Sequence, residues 1–151
     1  MLLLSFNIGD EKYVINTRDI IEVTPVVRLK KLPGSIKGVS GLLNYHGSSV
    51  PVVDINLLCG KTEKIDTLAT RIIIVKYHDK NILGIKAGNV TETRRIDVSE
   101  FKETGIQVNK NKFLGDIAEY DNKFLQLVNV DQLLTDDIRD CLFPKQSGAI
   151  G

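Results

Sequence analysis

The sequence predicts a mainly β protein made of two small lobes that share a hydrophobic seam, with a short C-terminal helix. Three observations carry this reading. Apolar residues alternate or form short β-branched runs bounded by Gly, Asn and Asp clusters. Helical spacing is confined to two short stretches. A strand–turn–strand pattern and a strand-then-leucine pattern each occur twice along the chain.

In order, Leu4, Phe6 and Ile8 alternate with Ser5 and Asn7, the period-two pattern of a half-buried strand. Gly9-Asp10-Glu11-Lys12 reads as a hairpin turn, with Tyr13-Val14-Ile15 returning beside the first strand. Thr17 to Glu22 reads as one helical turn capped by the Thr17 hydroxyl. The runs Val50 to Ile55, Ile72 to Val75, Ile82 to Ile85, Ile96 to Val98 and Phe124 to Val128 read as further strands. From Asp131, taken as a cap, Leu133, Leu134, Ile138 and Leu142 recur at helical spacing, and Pro144 stops the helix. Residues 144–151 read as a flexible tail.

The repeated patterns pair Ile8 to Ile15 with Tyr77 to Gly84, and Val52 to Leu58 with Leu127 to Leu133. Gly41 and Gly115 precede the second pair in the same way. Their spacing exceeds that of solenoid repeats and implies two related lobes, about residues 10–70 and 71–131, with terminal segments crossing over. Lobes this small bury marginal cores alone and must lean on one another, leaving a groove between them.

With 151 residues, 42% hydrophobic and 26% charged, the composition is that of a globular domain. Twenty Lys and Arg against 19 Asp and Glu leave +1, too little for a nucleic-acid partner or a field that holds anionic membrane. The two cysteines fit a reducing compartment. Met1-Leu2-Leu3-Leu4 lacks a basic lead and runs into Gly9-Asp10-Glu11-Lys12, so it does not read as a signal peptide. No apolar run approaches the roughly 20 residues of a membrane span. The expectation is a cytoplasmic protein without membrane insertion.

Candidate chemistry is thin. His46 and His78 are the histidines, and no paired Cys or His spacing suggests a metal site. Cys59 and Cys141 read as packed thiols and His78 as a solvated turn residue. Phosphate-cradling glycine motifs are missing, and Arg28-Lys30-Lys31 and Arg94-Arg95 read as solvated charge. No catalytic residue, cofactor or metal is expected; a thiol paired with a histidine is the enzymatic alternative. The stretch Gly38 to Asp54 differs: glycines 41 and 47 bound a polar turn presenting Asn44, Tyr45 and His46 between two β-forming arms.

That stretch resembles the signature of CheW-like domains, the chemotaxis coupling proteins. Leu32-Pro33, Gly41-Leu42-Leu43-Asn44-Tyr45-His46-Gly47 and Val50-Pro51-Val52-Val53-Asp54-Ile55 match its successive motifs. Phe6 to Tyr13, Ile20 to Val23, Leu114 to Ile117 and Leu125 to Val130 extend the likeness over roughly residues 2–142. The resemblance implies two SH3-like five-stranded β-barrels on a shared seam. It further implies a non-enzymatic adaptor between methyl-accepting chemotaxis receptors and the regulatory domain of the CheA histidine kinase, recruited to membrane receptor arrays. On that basis Thr17, Ile20, Glu22, Asn44, Tyr45, His46 and Ser48 are expected to form the receptor-side surface.

Three departures stand out. Tyr45 and His46 replace a leucine and an arginine of the motif, Ala87-Gly88 replace Val-Asp, and Ile36 and Lys37 replace Pro-Asp. Family members can pair the arginine with the glutamate matching Glu22, so Glu22 and His46 are expected to approach each other. The departures also leave open a divergent adaptor of a non-flagellar pathway, or a module sensing a small molecule in the inter-lobe groove.

Overall fold

The computed structural model describes residues 1–32, 34, 36–62, 65–78, 80–102 and 113–144. Pro33 of the Leu32-Pro33 motif, Asp79 and the tail from residue 145 onward lie outside the described residues.

The first lobe is built from β3 (Ile20–Pro25), β4 (Val39–Tyr45), β5 (Ser48–Asp54), β6 (Arg71–Tyr77) and the first half of β7 (Asn81–Arg95), in the order β3-β6-β7-β5-β4. The chain beyond β3 returns to the free edge of β4 through a Lys30–Leu42 bridge, which curls these five strands into a barrel. The second lobe comprises the other half of β7, β1 (Leu2–Ile8), β2 (Glu11–Asn16), β10 (Lys123–Val128), β9 (Leu114–Tyr120) and the two-residue β8 (Phe101–Lys102). One hydrogen-bonded path runs through both lobes because β7 serves both. Its change of allegiance falls at Gly88-Asn89, where Asn89 takes a φ of 49° and β1 shifts register between Ser5 and Asn7.

The pairing draws the lobes differently from the sequence-based division. β6 and the start of β7 belong to the first lobe, and β1 and β2 to the second. Hydrogen bonding between distant segments decides this, and local pattern cannot encode it. The repeated patterns mark equivalent parts: hairpin β1–β2 takes β10 in parallel through Val14–Leu127, and hairpin β6–β7 takes β5 in parallel through Gly84–Val52.

Among the described residues the apolar side chains form three clusters. Leu43, Val50, Val52, Ile72 and Ile74 fill the first lobe. Leu3, Val14, Ile96, Ala118 and Leu125 fill the second. The largest cluster is the seam, where Phe6, Ile8 and Ile15 meet Val53, Ile73, Val75, Tyr77 and Ile85. Strands β1, β5 and β6 therefore send alternate side chains to a lobe core and to the seam, and Ile72 to Val75 are all fully buried. Double burial explains the unbroken apolar runs. It also corrects the half-buried reading of β1, whose Ser5 is only 1% exposed.

Several local expectations change. Thr17–Asp19 is a single 3-10 turn capped by Asn16, whose Oδ1 accepts from the Arg18 N–H at 3.0 Å, while Glu22 lies in β3. The β-branched Ile20, Ile21 and Val23 favour the strand over a helical turn. Val98 opens another 3-10 turn instead of ending a strand. The helix expected from Asp131 is split into a turn at Val130–Gln132 and α2 (Asp136–Leu142), capped by Thr135. A further short helix, α1 (Ile55–Leu58), follows β5 because Asp54 accepts from the Asn56 and Leu57 N–H groups.

Candidate functional site

Strands β4 and β5 meet at a two-residue turn, His46-Gly47, with φ values of 49° and 83°. Positive φ at both centres is the I′ geometry that matches strand twist, and glycine accepts it without a steric penalty. Asn44 Oδ1 clasps the turn by accepting from the Gly47 N–H at 3.2 Å. Tyr45 and Ser48 form the last pair of the ladder.

Tyr45 packs against the first-lobe core, and its hydroxyl donates to Glu22 Oε2 on β3 at 2.8 Å. Its ring meets the His46 ring edge-on, with centroids 4.4 Å apart. The hydrogen bond to Glu22 pushes the Tyr45 phenol above its usual range, because the carboxylate holds the proton in place and repels a phenolate.

Glu22, Asn44, Tyr45, His46 and Ser48 are thus brought together at one end of the first lobe. Thr17 and Ile20 take other roles. The Thr17 hydroxyl donates to the Leu2 carbonyl at 3.1 Å, and Ile20 packs against the seam. The expected Glu22–His46 pairing is replaced by Glu22–Tyr45, and among the described residues Glu22 enters no ion pair. The physical reason is the turn: His46 occupies its tip in the left-handed region, whereas Tyr45 is still on the strand facing β3.

Sequence reasoning missed Ile21 and Val23, which flank Glu22 and are 40% and 38% exposed. Their β-branched run was a usable signal for an edge strand. Of the departures, Ala87 is buried in the seam and Gly88 marks the bend of β7. Between the lobes lies a recess of about 150 Å³ whose walls include Asn7, Asp54, Thr70, Lys86 and Gly88. Lys86 is paired there with Asp66 at 2.6 Å.

The Cys59 thiol is not activated. Cys59 is half-buried against the seam, and burial pushes its pKa up to about 11, opposed by Lys61. Cys141 is exposed on α2, a correction to the packed reading, because its helix turns Ile138 and Leu142 toward the seam instead. Among the described residues no cluster of three or more His, Cys, Asp or Glu could hold a metal. None of the described helices is long and apolar enough to cross a membrane.

The CheW-like domain family matches residues 2–137. The chain belongs to that family. It is 27% identical over 137 residues to the chemotaxis protein CheW of Helicobacter pylori, covering 89% of this chain and 81% of the relative. Against the chemotaxis protein CheW of Bacillus subtilis the identity is 22% over 147 residues, covering 96% and 94%. The crystal structure of scaffolding protein TtCheW from Thermoanaerobacter tengcongensis is similar, with a TM-score of 0.81 and 25% identity over 89% of this chain and 87% of that one. This CheW-like chain has the two-lobe β fold and is a non-enzymatic chemotaxis scaffold.

Proposed function

We propose that the chain couples methyl-accepting chemoreceptors to the regulatory domain of a CheA-type histidine kinase, in the cytoplasm and at membrane receptor arrays. The observation that carries this reading is the gathering of Glu22, Asn44, Tyr45, His46 and Ser48 at an accessible end of the first lobe. Ile20, on the same strand as Glu22, and Thr17, in the turn before that strand, are included in the proposed receptor surface. The seam packs the lobes against one another, so a partner held on one lobe lies close to a partner on the other. Simultaneous engagement raises the effective concentration of kinase at the receptor.

The test is co-precipitation of the receptor's cytoplasmic fragment with wild-type protein and with Tyr45 and His46 both replaced by alanine. Binding falls in the double variant while the circular-dichroism spectrum stays β-rich. Undiminished binding rejects the receptor-side assignment.

The recess of about 150 Å³ between the lobes supports a second reading, sensing of a small polar molecule. A ligand there raises the melting temperature, since only the folded state binds it.

A further inference from the structure

Little holds α2 on the seam. None of its residues is buried. Ile138, Leu142 and, just past its last turn, Phe143 pack on the seam, each half-buried. Its ion pairs, Arg139 with Asp136 at 3.3 Å and with Asp140 at 3.6 Å, stay within the helix. Its cap is equally local, the Thr135 hydroxyl accepting from the Ile138 N–H. Among the described residues no hydrogen bond or ion pair ties residues 136–143 to a strand. Three apolar side chains make the attachment.

Beneath them lies Tyr77, the last residue of β6. Its side chain is fully buried, and its ring stacks on the Phe143 ring with centroids 5.6 Å apart. The charges acting on its phenol include Arg139, Asp136 and Asp140, all on α2. The hydroxyl is buried and has no hydrogen-bond partner among the described residues, although a buried polar group ordinarily has one. Two opposed effects therefore meet under the helix. Closure buries the stack and the aliphatic side chains, while opening returns the hydroxyl to water. An element with few buried side chains and no hydrogen bonds to its surroundings opens at low free energy.

We propose that α2 is a strap over the seam that opens as a unit while both barrels stay folded, with the Tyr77 hydroxyl setting how often it opens. The strap ends at Thr135. On its N-terminal side Leu133 and Leu134 are buried in the seam, and the His78 Nε2–H donates to the Asp131 carbonyl at 3.0 Å, so that turn stays in place. Opening uncovers Tyr77 and the apolar surface around it. Tyr77 thus has a role apart from filling the core, because its hydroxyl makes the closed state less favourable than a phenylalanine would.

The experiment is native-state hydrogen exchange of the full chain, resolved by residue, over a series of low urea concentrations. Amides of Arg139 to Phe143 exchange about a hundredfold or more faster than those of Ile72 to Val75, and with a weaker urea dependence, since opening exposes little surface. Fraying of a free helix end is also fast, but it does not respond to Tyr77. Tyr77→Phe keeps the stack and removes the unpaired hydroxyl, so it slows α2 exchange about fivefold or more. Phe143→Ala removes the stack and speeds α2 exchange about tenfold. Amides of α2 that exchange only in step with those of β6, at the same urea dependence, overturn the strap. Exchange of α2 that Tyr77→Phe leaves unchanged overturns the role given to the hydroxyl.

Discussion

Ile73 and Ile74 are neighbours on β6, yet they belong to different cores. Ile73 faces the seam with Phe6, Ile15 and Val53, whereas Ile74 faces the first-lobe interior with Leu43, Val50 and Val52. Both are fully buried. A strand used on both faces makes each lobe a wall of the other's hydrophobic core, and this is why the lobes hold one relative orientation.

Replacing either isoleucine by alanine costs about 2–5 kcal/mol, the usual range for a buried aliphatic truncated to alanine. The effect is read from urea unfolding at pH 7. Because the seam couples the lobes, Ile73→Ala lowers a single cooperative transition followed by tyrosine fluorescence and by circular dichroism. Two separated transitions in the wild-type protein would show that the lobes unfold independently.

Gly41 stands at the irregularity in the β4–β5 ladder, with a φ of 150°. A β-carbon there would come within 2.7 Å of the Lys30 carbonyl oxygen, which accepts the Leu42 N–H at 2.8 Å. Gly41→Ala therefore strains the backbone and pushes apart the bridge that closes the first barrel. A loss of about 2 kcal/mol or more is expected in thermal or urea unfolding. A variant as stable as wild type would show that the closing segment moves freely.

Stability declines at alkaline pH. The Cys59 thiol, raised to about 11 by burial, prefers its neutral form in the folded protein, while an unfolded thiol ionises near pH 8.5. Its contribution is complete below the unfolded value and disappears as pH rises toward 11. Tyr13 and Tyr77 are raised mainly by burial and Tyr45 mainly by its bond to Glu22, which deepens the loss above the ordinary phenol range. Urea midpoints measured from pH 8 upward should fall, and Cys59→Ala should flatten the early part of that fall.

The two thiols differ in reactivity. At pH 8 a thiol pushed up to about 11 carries on the order of a hundredfold less thiolate than an unperturbed one. Iodoacetamide therefore modifies Cys141 first, on the exposed face of α2, and Cys59 slowly. Mass spectrometry of timed samples checks the order. Faster labelling at Cys59 would return the thiol to consideration as a nucleophile.

Local features were legible in the order of the amino acids. Alternating and β-branched residues specified most strands, the Gly47 turn specified the hairpin that presents Asn44, Tyr45 and His46, and the repeated patterns indicated two equivalent units. The motifs from Leu32 to Ile55, with the flanking matches in their order and spacing, carried the resemblance to the family, whose model matches residues 2–137. The folded arrangement was needed to show which face of Ile72 to Val75 serves which core, that β1 and β2 complete the second lobe, and that Glu22 meets Tyr45 in place of His46. These outcomes depend on contacts between residues far apart in the chain. Periodicity reports how a residue relates to its near neighbours, and a strand buried on both faces removes the alternation that would tell one side from the other.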